Sequence, residues 1–200
     1  MSGILCLGVL WAIWITATFW MDKDRKERFP IAFCSLILMI SFSYKIQLFH
    51  VEVQLPAVIL LIIGYYYIAH FKYRKILYML ISIFIIMIGY AGLLLIELYD
   101  PVWIVINRTI MYSILFFMFA QLLASESMFI GITIVLMGTI HGEFLYAHIL
   151  HKWDLQQTAG SYAYLDCCAA FVLIECSWVL VSRAFSSLSM KDIVEKDKQG

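Results

Sequence analysis

The chain has 200 residues, of which 64% are hydrophobic and 14% charged, with Lys+Arg and Asp+Glu balanced at 14 each and a mean hydropathy of +0.90. Soluble domains carry roughly 45–50% apolar and about 25% charged residues, and a chain this short builds no core large enough to hide the excess. The composition therefore excludes a soluble globular domain, and the balanced charge gives no basic surface for nucleic acid.

A membrane-spanning helix needs about 20 mainly apolar residues. Taken in chain order, seven stretches read as spans: 3–21, 29–44, 56–70, 76–98, 102–124, 128–150 and 161–182. The first has no Lys or Arg before its apolar run and no small-x-small cleavage site, so it reads as a retained span rather than a signal peptide. The second and third are short, and each has Pro in its first turn, at Pro30 and Pro56, where a missing N–H costs nothing. The fifth follows Pro101 and is interrupted by Asn107 and Arg108. Residues 183–200 form a polar tail expected to fray in the cytoplasm. The expected fold is thus an all-α, polytopic transmembrane helix bundle of about seven spans, forming a single domain over 1–182.

Loops rich in Lys and Arg stay in the cytoplasm. Lys23, Arg25, Lys26 and Arg28 fill the first loop, Lys72, Arg74 and Lys75 the third, and Arg183, Lys191, Lys196 and Lys198 the tail. Only Lys45 and Lys152 fall in loops on the other side. Seven spans put all the cation-rich segments on one face, so the amino terminus is expected outside and the carboxyl terminus inside. Loop 125–127, which bears no cation, is the weak point. Tyr65, Tyr66 and Tyr67 close the third span as an interfacial anchor or, alternatively, a stacking site. The five cysteines, Cys6, Cys34, Cys167, Cys168 and Cys176, all lie in apolar runs without CxxC spacing and are expected as free, packed thiols.

A charge in the hydrocarbon region costs about 2.5–3.5 kcal/mol on insertion scales, so such residues face the bundle interior and pair. Glu97 and Asp100 close the fourth span at the outer surface. At a rise of about 1.5 Å per residue, Arg108 lies roughly 10 Å inside the outer end of the fifth span, His141 and Glu143 roughly 10–14 Å before the end of the sixth, and Asp166 about 8 Å into the seventh. Tyr162 and Asp166, four apart, share a face. The expectation is a buried polar cluster of Arg108, His141, Glu143, Asp166, Tyr162, Glu97 and Asp100, with Arg108 meeting Asp166 or Glu143 because a guanidinium cannot shed its charge. Two readings stay open: an ion-pair network that fixes helix register, or a small outward-facing site for an ion, proton or anionic group. Glu175 lies on the opposite face of the seventh span, in its inner half, and either meets Ser or Tyr groups from another helix or is protonated.

His148, His151 and Asp154 invite a metal reading, but zinc needs three or four ligands, and these residues read as polar caps with no metal. No HExxH, GxSxG, Walker loop or GxGxxG occurs, so neither a cofactor nor an enzyme is expected.

The stretch Glu97-Leu98-Tyr99-Asp100-Pro101-Val102-Trp103-Ile104 followed by Asn107-Arg108 resembles the YphA-like membrane proteins of Bacillus and its relatives. So do His141-Gly142-Glu143 and the run Thr158-Ala159-Gly160-Ser161-Tyr162-Ala163 leading to Asp166. The resemblance extends along the whole chain. It implies a multi-pass protein of the cell membrane without known enzymatic activity, with a role in spore envelope assembly suggested for a member. It brings no catalytic residues. The leading expectation is a protein that supports cell or spore envelope assembly through membrane partners or lipids. The alternative is a small transporter or ion- or proton-coupled protein using Arg108, Glu143 and Asp166. An intramembrane enzyme lacks a nucleophile with a base, Ser161 near His141 being only a loose pairing.

Overall fold

The structure, a computed structural model, describes residues 2–48, 50–100, 102, 107–124 and 127–197, with side chains described as far as Phe185. Seven helices run through these residues: α1 (Ile4–Ile15, continued by a π-helical turn Thr16–Trp20), α2 (Arg28–Ser41), α3 (Leu55–Ala69), α4 (Tyr73–Tyr99), α5 (Arg108–Ala124), α6 (Met128–His151) and α7 (Tyr162–Asp197). Three of them, α4, α6 and the Tyr162–Phe185 part of α7, are long and apolar enough to cross a membrane, and the other four are shorter apolar helices. Each of the seven apolar stretches read from sequence thus contains one of these helices.

The helix ends follow local chemistry. Arg28 reaches back from the start of α2 to the carbonyls of Ala17 (3.0 Å) and Thr18, satisfying acceptors that the end of α1 leaves open. Leu55 and Pro56 open α3. At α5 the structure differs from the sequence reading. The helix begins at Arg108, and Asn107 stands before it, its Oδ1 accepting from the Thr109 N–H at 3.0 Å. Asn is a strong N-cap because its side chain satisfies an orphan N–H. Asn107 and Arg108 therefore open the helix instead of interrupting a span from residue 102, and Arg108 sits at the helix end rather than a third of the way in. Residues 103–106 lie outside the described residues. At the other terminus α7 continues to Asp197, so the tail extends the helix where fraying was expected.

A second difference is a β-hairpin between α2 and α3. Strands β1 (Lys45–Leu48) and β2 (Val51–Gln54) pair antiparallel, with Lys45 opposite Gln54 and Leu48 opposite Val51. Ala159 adds to the other edge of β2: its N–H donates to Glu52 O (2.8 Å) and its carbonyl accepts from Gln54 N–H (3.0 Å). Gly160 follows at φ +68°, a conformation few residues with a side chain adopt, and a Cβ there would lie 2.6 Å from Ala57 Cβ. The hairpin thereby ties the α2–α3 connection to the α6–α7 connection and covers one end of the bundle.

The centre of the bundle is α6. In its most apolar window 56% of residues are buried, against 39% in α4 and α7. It packs on α3, α4, α5 and α7. Gly138 and Gly142 lie on the face toward α4, where a Cβ would come within 2.7 Å of Ile86 and 2.9 Å of Tyr90. Small residues four apart let two helix backbones approach closely, the packing device that works in lipid. Phe116, Ile134 and Phe171 are fully buried, while Ile81, Phe84, Ile85 and Ile88 of α4 are each more than half exposed. All five cysteines are free thiols, Cys167 and Cys168 buried, Cys6 and Cys34 half-buried and Cys176 exposed.

Candidate functional site

Six of the seven expected polar residues make contacts that join separate elements, most of them toward the hairpin end and one, His141, near the middle of the bundle. They form several small groups rather than one cluster.

Asp166 lies in the early part of α7 and is 8% exposed. Its carboxylate accepts the Gly3 N–H (2.6 Å) and the Cys6 N–H (2.9 Å). The first N–H groups of a helix have no internal acceptor and carry partial positive charge. No acid stands in the first turn of α1, and its N-cap Gly3 has no side chain, so Asp166 caps α1 from the neighbouring α7. Tyr162, one turn earlier, donates to Phe42 O (3.1 Å) and stacks on the Phe42 ring at 5.0 Å, tying α7 to the end of α2.

Glu143, on α6, is 4% exposed and accepts the Tyr90 hydroxyl of α4 at 2.9 Å. The approach of α4 at Gly142 makes that bond reachable. Next to it, Tyr90 meets the Tyr112 ring edge-to-face at 5.6 Å, and Tyr164 bonds Thr139 at 2.7 Å. Tyr112 donates to Glu97 Oε2, and Arg108 Nε stands 3.1 Å from Glu97 Oε1, with its guanidinium 5.7 Å above the Tyr112 ring. Arg108 therefore pairs with Glu97, neither with Asp166 nor with Glu143. The reason is the helix start at Asn107, which holds Arg108 beside the last turn of α4.

His141, two residues from Glu143, points to α3, where its Nε2 bonds the Tyr65 hydroxyl at 2.9 Å; its Nδ1 lies 2.7 Å from Met137 O. Asp100 makes a local turn, accepting the Val102 N–H at 3.2 Å, and among the described residues it shows no hydrogen bond to another helix. Glu175 meets Gln121 of α5, with both oxygens 3.4 Å from Nε2.

Several participants were not singled out from sequence. Tyr90, Tyr112 and Thr139 carry the hydrogen bonds, and Gly138 and Gly142 admit α4. The Gly138-x-x-x-Gly142 spacing was the available signal. Gln54, the last residue of β2, is buried at 2% exposed. A polar cleft of about 240 Å³ opens on the hairpin, lined by His50, Glu52, His151 and Thr158 among others, with the His50 and His151 rings parallel at 5.9 Å. Among the described residues no group of three or more His, Cys, Asp or Glu is placed to hold a metal ion.

Apolar helices whose hydrophobic faces point outward and whose acids are paired inside define an integral membrane helix protein. The chain belongs to the YphA-like integral membrane protein family, whose sequence model matches residues 2–200. It is similar to the uncharacterized protein YphA of Bacillus subtilis (strain 168), with 20% identity over 165 residues that cover 82% of this chain and 81% of that protein. No solved structure matches it.

Proposed function

We propose that the protein crosses the plasma membrane seven times, with its amino terminus outside and its carboxyl terminus in the cytoplasm. In this reading it supports cell or spore envelope assembly through membrane partners or lipids, without catalysing a reaction. The observation that carries a non-catalytic role is the commitment of the acids. Asp166 holds the start of α1, Glu143 holds Tyr90, and Glu97 holds both Tyr112 and Arg108. Each carboxylate joins two helices, which is the pattern of a rigid scaffold.

The orientation rests on the cations. Lys23, Arg25, Lys26, Arg28, Lys72, Arg74 and Lys75 stand at the end away from the hairpin, while Lys45 and Lys152 stand at the hairpin end, and cation-rich loops stay in the cytoplasm. The short helices α2 and α3, at 14 and 15 residues, cross with local bilayer thinning, which costs fractions of a kcal/mol per Å.

The competing function, a small transporter or ion- or proton-coupled protein, draws on one feature, the buried acid Glu143. The Glu143→Gln variant separates the two, because a glutamine carbonyl still accepts the Tyr90 hydroxyl but carries no charge. In a strain lacking the chain, Glu143→Gln is expected to fold in the membrane and to restore the envelope phenotype. A variant that folds and fails to restore it makes the carboxylate's charge functional and favours transport.

A further inference from the structure

Helices α4 and α5 are neighbours in sequence, yet both lean on α6 and leave a groove of about 330 Å³ between them. Its walls are apolar, with Leu93 of α4 on one side and Met111, Leu115 and Met118 of α5 on the other. Met118 is 61% exposed, so the groove opens sideways. From Met111 to Met118 it runs roughly 10 Å along the helix. Glu97 and Tyr112 stand at its hairpin end. At 27 residues, α4 is about 40 Å long, longer than the roughly 30 Å hydrocarbon layer, so its last turn with Glu97 reaches headgroup depth.

The polar pole is a matched pair of opposite charges. Glu97 Oε1 faces Arg108 Nε and Oε2 accepts the Tyr112 hydroxyl. A carboxylate offers about four acceptor sites, so those two contacts leave capacity, and 16% of the Glu97 side chain stays accessible. Arg108 is 47% exposed, and a guanidinium has five N–H donors suited to a phosphate. A purely anionic headgroup would gain Arg108 and be repelled by Glu97. A headgroup carrying both a phosphate and a primary ammonium satisfies both. We propose that the α4–α5 groove binds an aminophospholipid of the phosphoethanolamine class. Its ammonium donates to Glu97, its phosphate accepts from Arg108, and an acyl chain lies along Leu93, Met111, Leu115 and Met118. The proposal goes beyond the envelope role, requiring only that the protein resides in a membrane.

The test uses the purified full chain in mild detergent, offered phosphatidylethanolamine, phosphatidylcholine or phosphatidylglycerol with identical acyl chains, and retained lipid is counted by native mass spectrometry. Phosphatidylcholine has the same phosphate but no ammonium N–H. Phosphatidylethanolamine is expected to be retained about tenfold better than either, the worth of one charge-assisted hydrogen bond. Glu97→Gln, which keeps an acceptor but loses the charge, is expected to reduce that preference several-fold, and Met118→Trp, which fills the groove without touching a charge, to lower retention of all three lipids. Equal retention by the unmodified chain overturns the proposal, as does an intact preference in a folded Glu97→Gln variant. Should Glu97→Gln fail to fold, Met118→Trp decides, and unchanged retention there also overturns it. None of these outcomes depends on the envelope phenotype.

Discussion

At the hairpin end, Asp166, Glu143 and Glu97 turn into the bundle and meet donors from other helices. At the opposite end Lys23, Arg25, Lys26, Lys72 and Arg74 stand exposed. The hydrogen bonds between helices there run mainly to backbone carbonyls, from Tyr78 to Leu123 and from Arg28 to Ala17 and Thr18, the acid Glu175 is met only by Gln121 at 3.4 Å, and a cleft of about 360 Å³ opens beside Lys75 and Tyr78. The acids of one end determine which helices lie side by side. In the proposed orientation the cations of the other end act through the membrane's charge asymmetry, and Arg28 also holds the end of the first helix. In lipid the apolar surface gives helices no preference for one another, so pairing has to come from small-residue contacts and inward polar groups, and both are concentrated around α6 and the hairpin end.

That contrast can be broken most severely at the α4–α6 contact. Gly138→Ala puts a methyl 2.7 Å from Ile86 and 3.1 Å from the Ile83 carbonyl. Overpacking of this kind costs about 1–3 kcal/mol, expected as a clear drop in thermal stability in mild detergent. Gly89→Ala, in the same helix pair but with nothing within 4 Å of its Cβ, is expected to be neutral or to gain up to about 1 kcal/mol from helix propensity. Next in size is Asp166→Ala, which strips the acceptor from the Gly3 and Cys6 N–H groups. About 1–2 kcal/mol should be lost, and amide exchange should speed up in the first turn of α1 while α6 stays protected. The smallest effect is expected at Lys45→Ala. Lys45 and Glu52 lie 3.2 Å apart but each is 48% exposed, and such pairs are worth less than about 1 kcal/mol, so chemical or thermal denaturation should shift little.

The helices were legible because a spanning segment must be a long apolar run, and Pro30 and Pro56 mark two of the starts. The hairpin was not, although Ile46 and Leu48, then Val51 and Val53, alternate as strands do. Ten residues of alternation are a weak signal beside seven apolar runs. The start of α5 was misplaced because apolarity alone carried the span back to Val102, while the N-cap chemistry of Asn107 decides where the helix opens. The polar residues were found, but their partners were not. Spacing tells which residues share a helix face and not which helix that face meets, and α6 is apolar on nearly every side. Depth along the chain put Arg108, Glu143 and Asp166 near one level, yet the packing assigns each to a different neighbour.

The separate identity of these contacts is tested most directly by two double-mutant cycles on thermal stability: Arg108→Leu with Glu97→Leu, and Arg108→Leu with Asp166→Leu. The first pair is expected to couple by about 0.5–1 kcal/mol, as contacting charges near a surface do, and the second to be additive within about 0.3–0.5 kcal/mol. Additivity in the first cycle together with coupling in the second would contradict the arrangement and restore a single cluster centred on Arg108 and Asp166.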